Sequence, residues 1–125
     1  FFIFINDLYY YRLARNKHVI SDRCPIDKYI GTIIKKDKYR NLFHRFSLKL
    51  FPNPDFVILL DGNPDVIYLR KEEISVSTII NYISLYKQYI QSRDIRSLTI
   101  DTTKHNIQET FDLASKQIQK LLSER

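Results

Sequence analysis

Apolar positions along this chain follow helical spacing in some segments and form short unbroken runs in others. Helical spacing predicts five helices, over 5–13, 42–50, from Pro64, 79–90 and 107–121. Short apolar runs predict three strands, at about 18–21, 56–60 and 97–100. Pro25 is predicted to open a loop or irregular segment before the second helix. The predicted order is therefore α-β-α-β-α-α-β-α.

Strands that alternate with helices, with no hairpin signal between them, indicate a parallel sheet with right-handed crossovers. The run at 56–60 has no polar residue, which is typical of a strand covered on both faces. The predicted fold class is α/β, in a single domain.

Polar clusters follow each predicted strand, where parallel sheets bind their ligands. They are Asp22-Arg23, Asp61-Gly62-Asn63 and Asp101-Thr102-Thr103-Lys104. An acid beside an arginine suits phosphate transfer, since a carboxylate organises Mg²⁺ and a guanidinium holds a pair of anionic oxygens. The alternatives are a surface ion pair at Asp22-Arg23, and turn or capping roles for Asp61 and Asp101.

Composition narrows the class of protein. The 125 residues are 44% hydrophobic, enough for one core, and no segment is long enough to span a bilayer. A single cysteine, Cys24, excludes an intrachain disulfide and fits a reducing, cytoplasmic compartment. The chain has no methionine, so we interpret it as a fragment or a processed product.

A net charge of +6 favours anionic partners without naming them. The densest basic stretch, 35–40, is interpreted as a solvated face, with phosphate contact as the alternative. His18, His44 and His105 have no partners at metal-ligand spacing. We expect neither a nucleic-acid nor a membrane partner.

Four segments resemble, in order, landmarks of the thymidylate kinase-like family of P-loop nucleoside-monophosphate kinases. They are 19–23, 54–61 with Pro64 and Val66, 70–72, and Ile100-Asp101. The resemblance implies that 1–125 is a partial thymidylate kinase-like domain with a partial three-layer α/β/α P-loop-kinase fold. It also implies that the N-terminal phosphate-loop part is missing, because the only glycines, Gly31 and Gly62, are not followed by Lys-Ser/Thr.

The resemblance implies ATP-dependent phosphoryl transfer to a nucleoside monophosphate, dTMP or a related acceptor, with ATP and Mg²⁺ as cofactors. Asp22 would lie near Mg²⁺ and the acceptor phosphate, which Arg23 would grip. Arg70 would reach the transferring phosphoryl group from a lid, helped by Lys71. The loop of Thr102, Thr103 and Lys104 would contact the adenine of ATP.

Departures from the family pattern limit what is implied about the substrate. Cys24, Asp27 and Gly31 stand where thymidylate kinases carry nucleotide-binding side chains, which puts thymidine specificity in doubt. The family commonly forms dimers, so a homodimer is an expectation, and we expect no phosphoryl transfer by this chain alone. The alternative is a noncatalytic remnant or a basic binding module with the same fold.

Overall fold

A computed structural model describes residues 17–23, 25–50 and 53–124 of the chain. The chain divides into two compact units, 1–53 and 54–125, and each is described by itself. The first predicted helix, over 5–13, lies outside the described residues. None of the helices within the described ranges is long and apolar enough to cross a bilayer.

The first unit contains two packed helices, α1 (Pro25–Ile34) and α2 (Lys38–Leu50). The prediction of an irregular segment at Pro25 was wrong, because a proline at the first helical position sacrifices no hydrogen bond and has a helical φ. Ile26 and Ile30, one turn apart, are the buried apolar side chains of α1. Between the helices, the Asn41 side-chain amide donates to the Thr32 hydroxyl at 3.0 Å.

The strand predicted at 18–21 does not form in the described part of this unit. Residues 17–23 are irregular and exposed, with 55% of Val19 and 78% of Ile20 accessible to solvent. A parallel strand needs a neighbour for its backbone N–H and C=O groups, and no strand lies among the described residues of this unit. Asp22 and Arg23 therefore follow an exposed irregular segment and not the end of a strand.

The second unit is built on two parallel strands, β1 (Val57–Asp61) and β2 (Ser97–Asp101). They pair in register from Val57 opposite Ser97 to Asp61 opposite Asp101. Two of the three predicted strands and their parallel direction are thus confirmed, each within one residue at its ends. The described chain is mixed α/β, and the three-layer P-loop fold stays a prediction.

Three helices complete the second unit: α3 (Pro64–Lys71), α4 (Val76–Ser92) and α5 (Ile107–Ser123). Each begins at a capping side chain that accepts a backbone N–H, provided by Asn63, Ser75 and Asn106. The core lies around α4 and β2 and contains the buried side chains of Ile79, Tyr86, Tyr89, Ile90, Ile95 and Ile100. This framework holds the carboxyl ends of β1 and β2 side by side.

Candidate functional site

The loops that follow β1 and β2 are tied together where the strands end. The carbonyl oxygen of Asp61 accepts hydrogen bonds from the backbone N–H and the hydroxyl of Thr102, at 2.8 and 2.9 Å. Because Asp61 and Asp101 are in register, the residue after β2 reaches the last carbonyl of β1 directly. The two polar clusters predicted from the sequence therefore form one site at the carboxyl edge.

The loop after β2 is closed by the Asp101 carboxylate. Its Oδ1 atom accepts from the Thr103 hydroxyl at 2.6 Å, the Thr103 N–H at 2.8 Å and the Lys104 N–H at 3.1 Å. These hydrogen bonds, that of the Thr103 hydroxyl first, lower the pKa of Asp101 below its ordinary value. These contacts fit a turn-forming role for Asp101, since its carboxylate holds the loop in shape.

The loop after β1 packs against Thr103 and leaves no room for a larger residue at Gly62. The Asn63 N–H donates to the Thr103 hydroxyl at 3.1 Å. A Cβ atom added to Gly62 would lie 2.6 Å from Cγ2 of Thr103. Glycine therefore avoids a clash where the two loops approach each other closely.

Arg70 connects the last part of α3 to the same loop. Its Nη2 donates to the carbonyl oxygen of Thr102 at 2.8 Å, and its Nη1 to the Thr102 hydroxyl at 3.3 Å. The family resemblance implies a lid role for Arg70 and an adenine-loop role for Thr102, which are 32 positions apart in the chain. The structure brings these two predicted site residues into direct contact.

Lys87 also belongs to this site, although the sequence patterns did not predict it. Its Nζ lies 2.6 Å from Oδ2 of Asp61, whose Oδ1 accepts the Gly62 N–H at 2.7 Å. The pair borders an open groove of about 360 Å³, lined by Asp61, Pro64, Ile80, Ile83, Ser84, Lys87, Gln88 and Gln91. Nothing in the pattern of α4 distinguished Lys87 from the other polar residues on that helix.

The remaining predicted site residues are Asp22 and Arg23 in the first unit and Lys71 and Lys104 in the second. Asp22 and Arg23 belong to the first unit and are exposed, and the Ser21 hydroxyl donates to the carbonyl oxygen of Arg23. Lys71 ends α3, and its side chain lies outside the described parts of the structure. Lys104 is exposed at the tip of the β2 loop.

Metal-binding side chains do not cluster in the described ranges, where no three His, Cys, Asp or Glu residues are placed to hold an ion. Mg²⁺ in nucleotide-dependent proteins is commonly held by one or two carboxylates together with the phosphates of the substrate. The exposed carboxylate of Asp22 fits that donor set as a single protein ligand.

Comparison of the chain with family models, curated proteins and solved structures finds no match. The thymidylate kinase-like resemblance therefore rests on the motifs quoted above. What the structure adds is the parallel strand pair and the contacts at its carboxyl edge.

Proposed function

We propose that this chain is part of a thymidylate kinase-like, ATP-dependent phosphotransferase that acts on a nucleoside monophosphate. The observation that carries the proposal is the hydrogen bonding of Arg70 to Thr102 at the carboxyl edge of two parallel strands. Ligands of open α/β sheets bind at this edge, and phosphoryl transfer depends chiefly on positioning and neutralising charge.

The charge distribution at this edge favours an anionic ligand. Lys87 neutralises Asp61, and three hydrogen-bond donors surround Oδ1 of Asp101. Arg70 and Lys104 remain exposed beside these satisfied carboxylates. Two cations are thus presented to solvent where the acids are already compensated, which attracts phosphate groups.

The loop contacts support different contributions from the predicted residues. The hydroxyls of Thr102 and Thr103 already bond to Asp61, Arg70, Asp101 and Asn63, so they hold the loop rigid. Contact with adenine would fall to the methyl groups of the threonines and the aliphatic stem of Lys104.

Photolabelling with an azido analogue of ATP, in the presence of Mg²⁺, tests this proposal. Trypsin cuts after Arg96 and Lys104, so the β2 loop is recovered as the peptide 97–104. We expect labelling of this peptide, or of its extension through an uncut Lys104, and we expect unmodified ATP to compete. Arg70→Ala should reduce the labelling, whereas Arg93→Ala, a matched exposed arginine at the end of α4, should not.

Label that accumulates outside this peptide and its extended form, or that unmodified ATP does not displace, would overturn the proposal. Equal labelling of the Arg70→Ala and Arg93→Ala variants would remove Arg70 from the site. Circular dichroism of both variants checks that the helices remain intact.

A further inference from the structure

Helix α2 in the first unit exposes a set of large apolar side chains. Ser47 and Leu48 are its buried residues. The opposite side exposes five large side chains, with exposed fractions of 91, 69, 46, 63 and 54% for Tyr39, Leu42, Phe43, Phe46 and Leu50. Intervals of three, four and four residues connect positions 39, 42, 46 and 50. Phe43 follows Tyr39 by four residues, so all five side chains share one stripe.

The same helix is strongly basic. It contains Lys38, Arg40, Arg45 and Lys49 and no acidic residue. Asp37, which precedes the helix, is engaged with the helix start: its carboxylate accepts the Arg40 N–H at 3.1 Å and lies 3.5 Å from Nε of Arg40. An anionic partner would therefore meet little repulsion along α2.

Cationic and apolar groups lie side by side on this surface. Leu42, Arg45, Phe46 and Lys49 together line a hollow of about 200 Å³. A partner that fills it must offer negative charge next to apolar surface. The headgroup and upper acyl region of an anionic lipid offer both, at the depth where amphipathic helices lie.

We propose that α2 binds the surface of a lipid bilayer that contains anionic phospholipids, with the stripe of Tyr39, Leu42, Phe43, Phe46 and Leu50 inserted. A helix of 13 residues is about 20 Å long and lies in the plane of the interface without crossing the bilayer. Aromatic side chains, of which the stripe has three, favour that depth. The sequence-based expectation of no membrane partner considered only segments that could span a bilayer.

Other partners fit the surface less well. A second copy would bring two basic helices of the same sign together, which opposes a symmetric contact through α2. A nucleic acid would use the cations but would leave leucine and phenylalanine side chains without apolar partners. This inference is independent of the proposed phosphotransferase function, since it concerns a different surface in a different unit.

Fluorescence of a single introduced tryptophan tests the proposal, because the chain has no tryptophan of its own. Phe46→Trp places the probe on the stripe. Ile107→Trp, at a side chain 90% exposed on α5, is the control. With phosphatidylcholine–phosphatidylserine vesicles we expect a blue shift and quenching by brominated lipid for the first variant only, and a much weaker response with pure phosphatidylcholine.

Two further variants separate the contribution of the cations to vesicle binding from that of the apolar stripe. Arg45→Ala with Lys49→Ala should weaken binding to anionic vesicles about thirtyfold, since each cation near an anionic surface contributes about 1 kcal/mol. The control is Lys116→Ala with Lys120→Ala on α5, two cations with the same spacing of four residues. It should change vesicle binding little. Phe46→Ser should weaken binding about tenfold. Circular dichroism verifies that each variant keeps its helix content.

Four results would overturn the proposal. The first is no response of Phe46→Trp to anionic vesicles, and the second is an equal response of Ile107→Trp. The third is binding to heparin without binding to vesicles, when Phe46→Ser leaves the heparin binding unchanged. The last is a lipid-free dimer that Phe46→Ser dissociates, because the stripe would then be covered by a second copy.

Discussion

The two glycines of this chain should respond in opposite directions when each is replaced by alanine. A Cβ atom at Gly62 would lie 2.6 Å from Cγ2 of Thr103, whereas one at Gly31 would meet nothing within 4 Å. Ordinary carbon–carbon contacts are about 3.5–4.0 Å, so Gly62→Ala forces the two edge loops apart. Overpacking of this kind costs about 1–3 kcal/mol.

Gly31 lies inside α1, where alanine is a better helix former. Gly31→Ala should therefore raise the free energy of unfolding by about 0.5–1 kcal/mol. For a unit of the size of 54–125, a loss of about 2 kcal/mol at Gly62 corresponds to a fall in Tm of about 8–16 °C. Thermal and urea unfolding, followed by circular dichroism, measures both variants under identical conditions.

A double-mutant cycle with Thr103→Ser isolates the clash. Serine keeps the hydroxyl that bonds to Asp101 and Asn63 but removes the methyl group that a Cβ atom at Gly62 would strike. Any backbone cost of alanine at Gly62, where φ is 159°, is common to both backgrounds and cancels. We expect Gly62→Ala to cost about 1 kcal/mol less in the serine background. Equal costs in the two backgrounds would refute the close approach of the loops.

Three other changes at this edge have defined outcomes. Thr103→Val should raise the pKa of Asp101 toward its ordinary value. Because the pKa of Asp101 is lower in the folded state, its carboxylate stabilises the fold above about pH 4, and this stabilisation is lost on acidification. Urea unfolding across the acid range should therefore show a smaller loss of stability on acidification in the variant than in the wild type. Lys87→Met should cost at most about 1 kcal/mol, since the ion pair with Asp61 is partly exposed, and the difference from wild type should shrink in high salt. Asn106→Ala should cost about 1 kcal/mol in the same unfolding assay through loss of the α5 cap, and Asn106→Ser should restore most of it.

The sequence predicted the carboxyl edge well because its signals are local. Asp61 follows an unbroken apolar run, and Asp101 ends the second strand. Each aspartate marks where its strand stops. Asn63 and Pro64 give a clear helix start after β1. The contact of the two edge loops then follows from parallel pairing in register.

The predictions that failed depended on tertiary partners or on a residue that is compatible with two local structures. The strand at 18–21 required a neighbouring strand, and the described part of its unit contains none. Pro25 is compatible with a loop and with the first position of a helix, and Ile26 and Ile30 were the signal for the helix. Lys87 reaches Asp61 through tertiary packing across 26 positions, which no local pattern reveals.

Chemical-shift mapping of Mg²⁺·ATP binding by the amide NMR spectrum of the full chain tests the central claim most directly. We expect concentration-dependent shifts of the amides of Asn63, Thr102, Thr103 and Lys104, together with the Arg70 side chain, and a smaller effect in Arg70→Ala. An unchanged spectrum at these positions, with saturable shifts confined to other surfaces, would contradict a nucleotide site at the carboxyl edge of β1 and β2.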